Sequence, residues 1–168
     1  ECAKALIYSF YKWAEFFEDR LKSQLSPREL RGLFGELFVL SEMLEGSTST
    51  SINLILKSWR GPYDIAQDFV FDDKNMEVKT KGASESFVRI SSEHQLSPEF
   101  DKGLELLVVS VKVDLVNGES IHDVIRRIVE RTRANQGEIS IIYKALGQKG
   151  LTFESTKQYN NHRFIVVE

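Results

Sequence analysis

The chain has one cysteine, Cys2, in 168 residues, which excludes a disulfide scaffold and a thiolate zinc site. No apolar run approaches the roughly 18 residues that a membrane-spanning helix requires. No Gly-rich phosphate loop is present, so nothing supports an ATPase. The three histidines, His94, His122 and His162, are scattered without metal-ligand spacing and read as structural or surface residues. Positive charge is not in excess. The formal net charge of −3 argues against coating nucleic acid through overall charge, but leaves room for a local basic groove. The chain starts at Glu1 with neither an initiator methionine nor a signal-like segment, and stops inside the run Phe164-Ile165-Val166-Val167. The expectation is a piece of a longer cytoplasmic protein. Hydrophobic residues at 42% and charged residues at 28% suffice to bury a core, and the length suits one domain.

What is present begins with a helical pattern. Ala3, Leu6, Ile7, Phe10, Trp13, Ala14, Phe17 and Leu21 recur at the spacing of one helix face, so residues 1–24 read as a helix. A second helix is expected over residues 26–45. Ser26 is its N-cap, Pro27 suits its first position, Glu29 closes a capping box and Gly46 stops it. Residues 52–59 suggest a short helix ending at the breaker Gly61-Pro62. Residues 69–71 and 76–81 flank a polar turn and read as a hairpin. Residues 87–90 read as a third strand, followed by a helix from Ser91 or Ser92. The run Leu106, Leu107, Val108, Val109, Val111 and Val113 predicts a central strand over 104–115, covered on both faces. Ser120 caps a helix containing Ile121, Val124, Ile125 and Ile128. Residues 138–146 give a further short helix and 163–167 the last strand. The expected class is α/β, a mixed central sheet flanked by helices. The candidate site falls in a core of residues 26–115, with helices and the final strand in 120–168.

The chemistry concentrates in the hairpin and the second helix. On a strand, Glu77, Lys79 and Lys81 share one face, and Met76, Val78 and Thr80 the other. A carboxylate and an ammonium buried side by side are costly unless paired or bound to a metal. The plain alternative is a solvated face on an edge strand. Asp68 stands just before the partner strand, and the turn brings it across from Glu77 and Lys79. Such a set suits Mg²⁺, which takes one or two carboxylates and keeps waters and phosphate oxygens. The lysine would orient or deprotonate an attacking water, or offset charge on the phosphorane. A third acid, Glu36, lies mid-helix among Leu33, Phe34, Leu37 and Phe38. An acid on so apolar a helix needs a partner, a metal or Lys79; otherwise it tips out to solvent beside Arg31 and Glu42. Gly32 and Gly35 each cost about 1 kcal/mol against alanine within a helix, so the pair implies close approach of another backbone.

Five segments then stand in order: Gly32-Leu33-Phe34-Gly35-Glu36-Leu37, Trp59-Arg60-Gly61-Pro62, Asp68-Phe69, Glu77-Val78-Lys79-Thr80 and Ile90-Ser91-Ser92-Glu93-His94-Gln95-Leu96. Together they resemble the PD-(D/E)XK nuclease superfamily. Within it they look like the prokaryotic PD-(D/E)XK motif proteins, a domain of unknown function found among restriction and defence genes. The resemblance implies a restriction-endonuclease-like core of αβββαβ order. It also implies Mg²⁺-dependent hydrolysis of DNA phosphodiesters in a bacterial restriction or defence system, with Mn²⁺ able to substitute. Carried over to this chain, Asp68 and Glu77 would hold the ion and Glu36 would support it or its waters. Lys79 would act on the water, and Ser92 and Gln95 would help orient the lysine or a phosphate. One departure is that Gln67, not proline, precedes Asp68. Pro62 lies upstream and makes Asp64 a rival aspartate, although the short spacing to Glu77 favours Asp68. DNA is the expected partner, along with proteins encoded in the same defence operon. Lys79, Lys81 and Arg89 are nearer candidates for phosphate contact than Arg126, Arg127, Arg131 and Arg133, which line the polar side of a helix. Trp59 and Phe87 are either base-stacking or core aromatics. The same residues admit a second reading, a catalytically weak nuclease-fold module for DNA binding or complex assembly.

Overall fold

Ser26 opens the first helix of the computed structural model, which describes residues 24–63, 65–90, 92–97 and 101–167. The helix expected over residues 1–24 falls almost wholly outside the described residues, and so do Asp64 and Ser91. In helix α1 (Pro27–Met43) the capping box forms: the Ser26 hydroxyl accepts the Glu29 N–H, and the Glu29 carboxylate accepts the Ser26 N–H at 2.8 Å. Two orphan donors are thereby satisfied at the helix start. Gly46, at φ +79°, adopts the left-handed conformation that ends the run. Leu30, Leu33, Phe34, Leu37 and Leu40 of α1 are all buried in the core.

Helix α2 (Ile52–Ser58) leads to Trp59, which bridges to Phe69, and then to a 3-10 turn, Gly61–Tyr63. Strands β1 (Phe69–Val70) and β2 (Lys74–Gly82) form the expected hairpin, with Phe69 opposite Met76 and Val70 opposite Asn75. Strand β3 (Gly103–Val113) runs parallel to β2, and β4 (Phe164–Val166) closes antiparallel on β3. The sheet is mixed, ordered β1-β2-β3-β4. Helix α3 (Ile121–Ala134) starts at a second capping box, Ser120 with Asp123, and fully buries Ile121, Val124, Ile125 and Ile128. Helix α4 (Ser140–Gln148) follows. The described chain is thus a mixed α/β fold. No helix among the described residues is long and apolar enough to cross a membrane.

Two expectations fail for physical reasons. Residues 87–90 form no strand, and the helix after them is only a 3-10 turn, Glu93–Leu96. The alternation Phe-Val-Arg-Ile carries strand propensity, but β3 holds one edge of β2 from Lys74 to Gly82, and the Asp68 carboxylate takes the Val78 N–H. Strand β3 is also not covered on both faces: Leu106 is 43% and Val108 39% exposed. Strand β4 pairs only with Val111 to Val113. The first half of β3 therefore forms a sheet edge among the described residues.

Helix α1 lies directly on β2. A methyl group at Gly35 would fall 1.9 Å from Thr80 Oγ1, whereas one at Gly32 meets nothing within 4 Å. The close approach inferred from the two glycines holds for Gly35 alone. Gly35→Ala should destabilise the fold by about 1–3 kcal/mol through overpacking. Gly32→Ala should stabilise it by about 1 kcal/mol through helix propensity. Urea unfolding of the two variants checks this, and equal shifts of the same sign would contradict the packing.

Candidate functional site

Asp68 is fixed by its own backbone and by its side chain. Its carbonyl accepts the N–H groups of Arg60 at 2.7 Å and Gly61 at 3.0 Å. Its Oδ2 accepts the Val78 N–H at 2.8 Å, locking the carboxylate against β2. Continuing the hairpin register from Phe69 opposite Met76 places Asp68 across from Glu77. Glu36 arrives from α1, one residue after the Gly35 contact, and its Oε2 accepts the Trp59 indole N–H at 2.9 Å. A methyl group at Gly61 would lie 2.5 Å from Glu36 Oε2 and 2.8 Å from Asp68 Oδ1. Both carboxylates therefore press on the same point of the chain, which only glycine leaves open.

Glu77 is 1% exposed. Its Oε1 accepts the Lys79 ammonium at 2.6 Å, and Lys79 also donates to Gln95 Oε1 at 3.1 Å. The second Glu77 oxygen, Oε2, is buried without a hydrogen-bond partner among the described residues. Glu36, Asp68, Glu77 and Lys79 line one groove of about 650 Å³.

Burial pushes all three carboxyls up. For Glu36 the value rises to about 8, chiefly by burial and then by the Asp68 charge, against the opposing Trp59 hydrogen bond. Glu77 rises to about 6, by burial first, with the Lys79 hydrogen bond opposing and the Asp68 charge adding. Asp68 is raised by burial, with the Val78 N–H, Lys79 and Lys149 pulling it back. Three acids crowd one low-dielectric place with one directly bonded ammonium. Such a cluster favours either protons or a cation.

The structure brings together Glu36, Asp68, Glu77, Lys79 and Gln95. It does not bring Ser92 to the lysine: its hydroxyl accepts the His94 N–H at 3.1 Å and caps the 3-10 turn. Asp64 lies outside the described residues. The Glu36 side chain finds neither Lys79 nor open solvent as hydrogen-bond partner, but the Trp59 indole. That role was missed in the sequence, where Trp59 read as a stacking or core aromatic. It is core, 1% exposed, with its one polar atom on the site. Gln67, standing in the place of the motif proline, is buried and donates to the His94 carbonyl at 3.0 Å. It fastens the turn that carries Gln95 to the segment that carries Asp68. Away from the groove, Arg127 bonds Ser41 Oγ at 2.9 Å and Arg131 bonds the Ser41 carbonyl at 2.6 Å. These two arginines join α3 to α1 and are not a solvated face. His122 is buried on Thr156, consistent with a structural role.

The donor set fits a hard divalent ion. Among the described residues no group of three or more His, Cys, Asp or Glu side chains is placed to hold a metal ion. Mg²⁺ does not need one, since one or two carboxylates plus waters satisfy it. Asp68 and the orphaned Glu77 Oε2 are the oxygens that would supply it.

A family model described as "Putative PD-(D/E)XK family member, (DUF4420)" matches residues 1–168. No curated protein and no solved structure matches the chain.

The raised carboxyls make stability depend on pH in a defined direction. Between the ordinary 4.5 and about 8, folded Glu36 keeps a proton that the unfolded chain has released. The folded state therefore binds more protons, and stability falls as pH rises through that window. Metal-free protein should lose unfolding free energy from pH 5 to 8, and Glu36→Gln should flatten much of that slope. Urea titrations at several pH values measure it; an unchanged slope in the variant would contradict the assignment.

Proposed function

The chain belongs to the DUF4420 family of PD-(D/E)XK members, and on that premise we propose that it is a Mg²⁺-dependent endonuclease hydrolysing DNA phosphodiester bonds, serving a bacterial restriction or defence system. One observation carries the reading: Glu36, Asp68, Glu77 and Lys79 line one groove, with the Asp68 charge raising both glutamates and the lysine bonded to one of them.

The roles follow from what holds each group. Asp68 and Glu77 are the ion-binding carboxylates, since one is pinned by the Val78 N–H and the other keeps an unpartnered buried oxygen. Glu36, aimed by Trp59, would support the ion's waters. When bound, such an ion supplies Lewis-acid polarisation and a more acidic water. Lys79 is held by Glu77 and Gln95, so its ammonium can orient the attacking water or offset charge growing on the phosphoryl oxygens. Pre-fixing these groups spares reorganisation when the phosphate arrives.

A second reading has one observation in its favour. No group of three or more acids or histidines among the described residues is placed to hold a metal ion, as suits a binding or assembly module of the same fold with little turnover.

The two readings separate in one assay. Purified protein should nick supercoiled plasmid with Mg²⁺ or Mn²⁺ and stop when the ion is chelated. Glu77→Ala and Lys79→Ala should each lose about 100-fold or more in rate, the size of removing one charge-stabilising group. DNA retention without nicking would favour the binding module. Nicking by both variants at the wild-type rate would remove the site assignment.

A further inference from the structure

Two aromatics invited a base-stacking role from the sequence, and the structure separates them. Trp59 is in the core, but Phe87 is 75% exposed. A single exposed apolar ring is ordinary on a protein surface. This one is not on an ordinary surface. Phe87 lines the same groove as Glu36, Asp68, Glu77 and Lys79, together with Arg28, Arg31, Lys81 and Arg89.

The segment that presents Phe87 is fastened just before it. The Ala83 N–H donates to the Val111 carbonyl at 2.8 Å, and the Glu85 N–H to the Gly82 carbonyl at 2.9 Å. The Lys81 ammonium donates to the Glu85 carbonyl at 3.1 Å. Arg31, from α1, grips both Glu85 carboxylate oxygens, at 2.8 and 3.4 Å. Five hydrogen bonds, involving α1, β2 and β3, thus anchor the turn two residues before the ring. The ring stands outward from a tethered support instead of folding into the core.

The groove carries five basic and five acidic side chains, three of the acids at the proposed ion site, and an outward aromatic beside basic side chains is the arrangement that binds single-stranded nucleic acid. The charges track phosphates and the ring takes a base face, whatever its identity. A paired, stacked base offers no free face to such a ring. Resting on the nuclease reading above, we propose that Phe87 is a base-stacking platform and that the groove takes its nucleic acid as an unpaired strand. Arg89, on the same wall, is placed for the flanking phosphate. Cleavage would then act on single-stranded stretches, loops or frayed ends, and duplex would enter only after local opening.

The test measures binding, so it stands apart from turnover. Fluorescence anisotropy is recorded in a Glu77→Gln background, with a labelled single-stranded oligonucleotide and the duplex of the same sequence. Adding Phe87→Ala should weaken single-strand binding by about 5- to 150-fold, the loss of one base stack. Duplex binding should change less than about twofold, because no base is available to lose. Phe87→Tyr, which keeps the ring, should restore single-strand affinity. The platform is overturned if Phe87→Ala leaves single-strand affinity unchanged, or if both probes weaken equally. If the Glu77→Gln protein binds neither probe, the nuclease reading itself falls and takes the platform with it. Single-strand binding that is indifferent to Phe87 removes the platform alone.

Discussion

The contact of Gly35 with Thr80 sets the geometry on which the groove depends. With no side chain on Gly35, α1 settles onto β2 to a separation that leaves no room for one methyl group. The next residue, Glu36, is thereby delivered to Trp59 and to the neighbourhood of Asp68. The helix pays for this with an interior glycine, which costs about 1 kcal/mol in propensity. The buried apolar stripe of Leu30, Leu33, Phe34, Leu37 and Leu40 more than offsets that, because each fully buried leucine contributes about 1.5–3 kcal/mol.

The same packing creates an electrostatic problem. Three carboxyls lie in low-dielectric surroundings, and the directly bonded cation is Lys79. A closed structural ion pair would match each acid to a partner. Here only Glu77 of the three has a directly bonded cation among the described residues. Asp68 leans on a backbone N–H, Glu36 on an indole N–H, and Glu77 leaves one oxygen without a partner among the described residues. These fixings orient the carboxylates more than they neutralise them. Natural proteins tolerate such local costs mainly where function uses them. The acidic net charge of −3 has a related meaning: part of it sits at this cluster, where a bound cation would offset it locally.

Much of this was legible in the sequence wherever local chemistry decides structure. The capping box at Ser26, the cap at Ser120, the stop at Gly46 and the hairpin around residues 71–75 are short-range devices, and they form as read. Convergence of Glu36, Asp68, Glu77 and Lys79 was legible through motif order, which encodes long-range placement without revealing its cause. Residues whose role is set by tertiary neighbours were not legible. Nothing local tells that Gln67 replaces a proline in order to reach the His94 carbonyl, or that the Trp59 indole aims Glu36. Residues 87–90 show the converse. Their alternation fits a strand, but strand pairing is a competition for neighbours: β3 holds one edge of β2, and the Asp68 carboxylate takes the Val78 N–H. The apolar run of β3 likewise reports strand propensity rather than burial, because burial of a strand's faces depends on what packs against the sheet, and Leu106 and Val108 are left exposed.

The account turns on whether Asp68 and Glu77 form one ion-binding pair. Titration of the protein with Mn²⁺ by calorimetry, in two buffers of different ionisation enthalpy near pH 6, tests that directly. The account predicts one ion per chain, with release of protons from the raised carboxyls, and loss of binding in both Asp68→Asn and Glu77→Gln. Absence of binding by the wild type, or binding that survives both substitutions, would contradict it.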